Sequence, residues 1–179
     1  MKGIVFTEFT EMIENEFGLS MLDEIIETSN LPSKGIYTSV GTYSHHEMVI
    51  MLTKFSELTK IPIHEALRMF GSWLFNSFFN QYPDFFNHTQ HVFGFLESVE
   101  HHIHVEVLKL YPDAQLPHFI CTQIDQKTFL MEYHSDKHME WLAVGLIEGA
   151  LKQFNETGEV KIVDSPDPSK GCLIQIKLQ

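Results

Sequence analysis

Basic residues and cysteines are scarce in this sequence. Twelve Lys and Arg stand against 24 Asp and Glu, so the 179 residues carry a net charge of −12 at pH 7. Nucleic acids and anionic membranes recruit basic patches, so this balance argues against both as partners. The two cysteines, Cys121 and Cys172, form no CxxC pair and predict neither a disulfide framework nor a cysteine zinc site. Pairing across strands, redox sensing and simple packing all stay open for them, with packing as the default.

Long apolar runs are also missing. No stretch approaches the roughly 20 apolar residues of a membrane span, and the acidic opening segment does not resemble a signal peptide. We therefore expect one domain over residues 1–179 in a reducing cytoplasm. Phe and His are abundant instead, with 15 and 11 copies. A Phe-rich core either wraps a large flat apolar ligand or simply packs, and His is the commonest metal ligand.

The hydrophobic periodicity predicts helices first and strands later. Apolar residues at helical spacing predict helices over 2–17, 20–28, 45–59, 62–80, 91–111 and 138–154. Alternation with a period of two predicts strands over 118–122, 128–133, 159–163 and 172–178. The segment 36–44 is β-branched and a weaker candidate for extended chain. The predicted fold class is α+β, with an N-terminal helical subdomain followed by a C-terminal four-stranded antiparallel sheet with helices.

Three histidines crowd one predicted helix: His101, His102 and His104. At about 100° per residue, the core stripe of this helix runs through Val92, Leu96, Val99, Ile103, Val107 and Leu110. His104 falls about 100° from that stripe on an apolar flank, so it is the best placed of the three for a buried role. His101 and His102 lie among polar neighbours. Periodicity alone leaves a metal ligand and a plain core or surface histidine open for His104.

The order of motifs along the whole chain resembles a known family. Its landmarks are the opening MKGI, Phe17-Gly18, the helix with Gly71, the helix that ends in LYPDAQLP, the stretch 133–137 and GLIEGA at 145–150. This order is similar to the H-NOX (heme nitric oxide/oxygen binding) family, closest to its stand-alone proteobacterial NO sensors. The resemblance implies heme b, buried between a helical part at about 1–65 and a heme-binding α/β part at about 66–179.

The resemblance assigns roles to residues on the iron-ligand side. His104 matches the family's proximal ligand of the heme iron. Tyr133 and Ser135 match two residues of a clamp on the heme propionates, and Pro117 matches a proline that presses on the heme. Lys137 stands where the family has Arg, so it keeps the charge but lacks the planar fork that binds a carboxylate with two hydrogen bonds. A looser clamp is therefore expected.

The opposite side of the heme determines which gas binds. Some members of the family hold dioxygen with a Tyr backed by a Trp and an Asn, whereas the corresponding positions here are Leu142, Phe9 and Leu74, without a donor. Val5, Phe78 and Leu146 complete an apolar pocket or pack as ordinary core residues. A hydrogen bond to a charged group contributes about 1.5–3 kcal/mol. Its absence predicts oxygen binding weaker by roughly one to two orders of magnitude, while NO is spared.

The expected function is gas sensing rather than catalysis. The sequence has no nucleophile elbow and no Walker loop, so we expect no enzyme. The resemblance implies NO, and also CO, as ligands, and a separate histidine kinase or cyclic-di-GMP enzyme as the receiver of the signal. Two other functions stay open. One is a non-heme histidine metal-binding protein, from the pairs His101/His104 and His134/His138. The other is an apolar-ligand or partner-binding module built on the Phe-rich core.

Overall fold

The computed structural model describes residues 1–87, 89–164 and 171–179. Its helices are α1 (Gly3–Phe17), α2 (Leu19–Thr28), α3 (His45–Thr59), α4 (Ile63–Gln81), α5 (Val92–Ser98), α6 (His104–Leu110) and α7 (Glu140–Gln153). Its strands are β1 (His118–Gln123), β2 (Thr128–His134), β3 (Gly158–Val163) and β4 (Cys172–Leu178). The predicted α+β class is confirmed. The turn-rich loop between β3 and β4 falls at 165–170, outside the described residues.

The four strands form one antiparallel sheet in the order β1-β2-β4-β3. Alternate residues of β2 and β4 point to one buried face, where Phe129, Met131, Ile174 and Ile176 are almost fully covered. Helices α5 and α7 pack their apolar residues in the same core. In the part of the chain that the structure describes, no helix combines the length and apolar character that crossing a membrane requires.

Two buried clusters share helix α4. The first joins α1, α2 and α3 to the start of α4, including Phe70 and Leu74. The second joins the sheet, α5 and α7 to Phe75, the next residue of α4. A boundary near residue 65, as expected from the sequence, would therefore separate most of α4 from α1, α2 and α3, against which the first part of α4 packs. The assignment of a helical part and a heme-binding part stays a proposal.

The segment 36–44 is not a strand in this structure. It forms turns and makes one isolated bridge, between Lys2 and Thr42. Its carbonyl groups instead accept from the start of α1: Gly3 N–H donates to Gly41 O at 2.8 Å, and Ile4 N–H donates to Ser39 O at 3.0 Å. The first N–H groups of a helix lack partners within it. The segment is thus used to cap α1.

The two cysteines lie apart, with strand β2 between them. Cys121 on β1 faces Met131, and Cys172 on β4 faces Tyr133, both across the pairing with β2. Both thiols are free and partly buried. Pairing across strands is therefore excluded, and packing is the role that the structure supports.

We expect both thiols to react slowly with alkylating reagents. Burial raises the pKa of Cys121 and of Cys172 from 9.0 to about 11 each. Because the thiolate is the reactive form, the reactive fraction at pH 8 should fall about 100-fold below that of an ordinary thiol. Iodoacetamide labelling of the folded and the urea-unfolded chain, followed by mass spectrometry, measures the ratio. Equal rates in the two states would contradict the burial argument.

Helices α4 and α7 cross at two glycines. A Cβ atom on Gly71 would overlap the Leu142 carbonyl oxygen, and one on Gly145 would overlap the Arg68 carbonyl oxygen. These are backbone atoms, which cannot rotate out of the way. The Arg68 guanidinium also ties the helices together, since its Nε donates to Glu148 Oε2 at 2.8 Å. The glycines therefore allow the close approach that sets α7 against α4.

The change Gly71→Ala should destabilise the protein. Overpacking costs about 1–3 kcal/mol, and the gain of about 1 kcal/mol in helix propensity offsets only part of it. We expect a net loss of up to about 2 kcal/mol, measured by urea unfolding. Gly94→Ala is the matched control, because its Cβ would meet nothing closer than Thr89 at 3.4 Å. Equal stability of the two variants would refute a tight crossing.

Candidate functional site

The predicted helix over 91–111 is interrupted at its centre. Helix α5 ends at Ser98, one π turn covers Val99–Ile103, and α6 begins at His104. A π turn adds one residue to the helix, which rotates everything after it by about 100°. In an uninterrupted helix, His104 would lie about 100° away from the core stripe. The π turn therefore brings His104 onto the face that carries Leu96. Both residues line the cavity described next, as does Leu110, which is 53% exposed.

A largely apolar cavity of about 300 Å³ lies where this face meets the rest of the molecule. That volume is within the range of small-molecule sites. The predicted site residues that line it are Val5, Leu74, Phe78, His104, Pro117, Tyr133, Ser135, Lys137, Leu142 and Leu146. Phe9 is not among the lining residues. It is fully buried, with its ring edge-on to Phe70 at 5.1 Å, so it packs within the first cluster.

His104 presents a neutral imidazole to the cavity. Its side chain is 14% exposed, and Nδ1 lies 3.4 Å from Glu100 Oε2. Burial lowers the pKa of His104, although the nearby Glu100 carboxylate acts in the opposite direction. A neutral ring is the form that binds a metal. Because Nδ1 faces Glu100, Nε2 is the nitrogen available as a ligand.

Glu100 joins the π turn to the start of β1. Its Oε1 lies 2.7 Å from His118 Nδ1, and its Oε2 accepts from Phe119 N–H at 3.0 Å. Burial alone would raise the pKa of Glu100, but the contacts with His118 and Phe119 N–H lower it, so the carboxylate is charged at pH 7. The sequence interpretation missed this residue. Its spacing of four before His104 was the available signal.

Three polar residues line the cavity at the end of β2 and beyond. The buried Tyr133 hydroxyl accepts from Met139 N–H at 3.3 Å and lies beside Ser135. Lys137 Nζ donates to Gln115 O at 2.9 Å. An ammonium group has three donors, so Lys137 retains the capacity to bind an anion. These groups can hold a carboxylate beside an otherwise apolar wall.

The sequence interpretation also missed an aromatic part of the cavity. Tyr82, Phe85 and Phe86, which follow α4, line it together with Tyr111 after α6. Tyr82 lies beside Tyr111, and burial together with this neighbour raises the pKa of Tyr82. The sequence analysis assigned no role to the aromatics around Pro83. Their number was the available signal for an apolar wall.

The other crowded histidines do not build a second site. Among residues 1–87, 89–164 and 171–179, no group of three or more His, Cys, Asp or Glu side chains is placed to hold a metal ion. His101 is exposed as expected, whereas His102 is half-buried, contrary to its predicted surface position. A non-heme metal centre built on His101/His104 or His134/His138 is therefore not supported.

Comparison with known families gives the cavity its context. The family model described as Haem-NO-binding (HNOB) matches residues 2–162. The chain belongs to the H-NOX family. Members of this family are heme-based gas-sensing domains, and the family binds gases such as NO and CO. No curated protein sequence matches the chain.

Solved H-NOX structures have the same fold. The Fe(II) unliganded protein from K. algicida is 35% identical and has a TM-score of 0.91, with 100% of this chain and 97% of that chain covered. The IWP-051-bound Fe(II)CO protein from Shewanella woodyi is 36% identical, with a TM-score of 0.83 and coverage of 99% and 94%. The S. oneidensis protein in its Fe(II)NO state is 24% identical, so its TM-score of 0.90 over 100% and 99% supports the fold alone.

The donor set of this H-NOX cavity fits a heme. A single neutral imidazole suits an axial iron ligand, and the cavity around it is apolar. Tyr133, Ser135 and Lys137 are suited to carboxylates and line the same cavity. A flat apolar ligand with two carboxylates and one metal centre needs this combination.

Proposed function

We propose that this H-NOX chain binds heme b and senses nitric oxide at ferrous iron. The observation that carries the proposal is the His104 ring, which is neutral, lines an apolar cavity and offers Nε2. When bound, the heme iron supplies an open coordination position for a diatomic gas. His104 would bind the iron, and Pro117 lines the same cavity.

The proposed propionate clamp consists of Tyr133, Ser135 and Lys137. Tyr133 and Ser135 lie side by side and line the same cavity. Lys137 supplies the positive charge, but as a single ammonium group on a flexible stem rather than a planar fork. We expect it to exchange its contact with Gln115 O for a carboxylate at little cost, since that contact is exposed.

The gas selectivity is proposed from the residues that the resemblance places opposite His104. Leu74, Leu142 and Leu146 line the cavity and carry no donor. Tyrosine residues also line it, of which Tyr133 already accepts from Met139 N–H at 3.3 Å and Tyr82 lies beside Tyr111. Bound dioxygen carries partial negative charge and needs a donor more than NO does. We therefore propose that the site excludes dioxygen and accepts NO and CO.

The proposed output is a signal to a separate protein. If NO weakened the bond between His104 and the iron, α6, which begins at His104, would be free to move relative to the sheet. A ligand that favours one of two packings shifts the population between them. We propose a histidine kinase or a cyclic-di-GMP enzyme as the receiver, with the chain itself acting as a sensor rather than an enzyme. A cytoplasmic location stays a prediction.

Visible absorption of the purified chain tests this proposal. We expect protein supplied with hemin and reduced with dithionite to show a Soret band that shifts with NO, and to form no stable complex in air. A chain that stays colourless under these conditions would exclude the heme function and favour an apolar-ligand module. A stable oxygen complex would refute the selectivity argument alone.

A further inference from the structure

We propose that Glu100 is the positioning residue of His104: anchored by strand β1, its carboxylate keeps the proton on Nδ1 and so directs the free lone pair of Nε2 into the cavity. Which group binds to this lone pair rests on the proposed function, in which it is the heme iron. The tautomer and the orientation of the ring do not.

The anchor of the carboxylate is the start of β1. Phe119 N–H donates to Glu100 Oε2 at 3.0 Å, and His118 Nδ1 lies 2.7 Å from Oε1. The Phe119 amide belongs to a strand whose place is set by its pairing with β2, opposite Tyr133. A backbone donor of this kind has no rotamer and does not titrate. Glu100 is therefore fixed by the sheet, while it sits in the π turn directly before His104.

The same oxygen faces the His104 ring. The distance from His104 Nδ1 to Glu100 Oε2 is 3.4 Å, longer than the contact of the other oxygen with His118. The carboxylate thus makes its shorter contacts with β1, and the His104 ring lies further from it. An ionised carboxylate only accepts hydrogen bonds. The tautomer that suits this geometry therefore has its proton on Nδ1, towards the carboxylate, and leaves Nε2 without one.

A carboxylate beside a histidine also affects the chemistry of the ring. Metal-bound histidines commonly donate their second N–H to a carboxylate, which fixes the tautomer and raises the basicity of the ring. The ring of His104 is also held by Phe119, whose ring centroid lies 5.8 Å away. Phe119 therefore contributes a side chain against His104 and a backbone N–H to Glu100. Strand β1 therefore holds the His104 ring directly through the Phe119 side chain and indirectly through Glu100.

The pair Glu100→Gln and Glu100→Ala tests the assignment. Gln keeps a neutral acceptor for Phe119 N–H, whereas Ala removes the acceptor. Glu97→Ala is the matched control, since Glu97 is an exposed carboxylate on the preceding helix. The first measurement is the ¹⁵N NMR spectrum of the heme-free chain, with its fold checked by circular dichroism. We expect the ratio of Nδ1–H to Nε2–H tautomer at His104 to fall about tenfold in Glu100→Ala, less in Glu100→Gln and not in Glu97→Ala.

The second measurement is the iron–histidine stretching band of the ferrous, heme-loaded chain by resonance Raman. We expect the frequency to be highest in the wild type, lower in Glu100→Gln and lowest in Glu100→Ala. Glu97→Ala should equal the wild type. If Glu100→Ala does not fold, both measurements are made on Glu100→Gln alone. An unchanged tautomer ratio and band in a folded Glu100 variant would overturn the positioning role. A chain that binds no heme but loses the Nδ1–H tautomer in Glu100→Ala would refute the proposed function while leaving the positioning role intact.

Discussion

Replacing His104 with glycine is expected to abolish the axial bond to the iron, the largest single effect predicted for this protein. His104 is the histidine that lines the cavity, and its ring is buried and neutral. Glycine removes the imidazole and leaves a space of its shape in a wall that is otherwise apolar. The iron–histidine stretching band should disappear from the ferrous resonance Raman spectrum, and the Soret band should shift.

Added imidazole should restore the band, since a free ring fits the space and supplies the same nitrogen. His101→Gly is the matched control, because His101 lies on the same helical stretch but is exposed. That variant should keep the wild-type spectrum. An unchanged ferrous spectrum in His104→Gly would show that another residue binds the iron. Rescue that works equally well with a bulky apolar amine would indicate that the space is not specific for the ring.

The course of the chain could be predicted from the sequence because local patterns determine it. Periods of 3.6 and 2 mark the helices and strands, and the motif order places His104, Tyr133 and Ser135 in one site. The π turn at Val99–Ile103 could not be predicted in this way. Its extra residue breaks the very periodicity that is used to find the helix. The structure shows what holds it in place, since Glu100 within the turn bonds to β1.

Contacts between distant segments account for the other differences. Glu100 acquires its role from Phe119 and His118, which follow it by 19 and 18 residues. The segment 36–44 has the composition of a strand but caps α1, because the first N–H groups of that helix need acceptors. In both cases tertiary packing determines the outcome over local preference. Phe9, which the resemblance assigns to the gas pocket, packs against Phe70, and its role there stays a prediction.

The second large effect is expected from Leu142→Tyr. Leu142 lies on α7 at the crossing with α4, and its side chain lines the cavity. A tyrosine there brings a hydroxyl donor to a wall that has apolar residues on both helices. A hydrogen bond to a charged acceptor contributes about 1.5–3 kcal/mol. We therefore expect the affinity for dioxygen to rise roughly ten- to a hundredfold, while the affinity for NO changes little.

Oxygen titration of the reduced, heme-loaded variant, followed in the Soret region, measures this gain. Leu142→Phe is the matched control, because it has the ring of tyrosine without the hydroxyl and separates the donor from the added volume. Equal gains in both variants would attribute the effect to packing rather than to a hydrogen bond. If the wild-type chain itself forms a stable oxygen complex, a cavity hydroxyl must already be acting as the donor. Tyr82→Phe and Tyr111→Phe then test which hydroxyl it is, since both residues line the cavity.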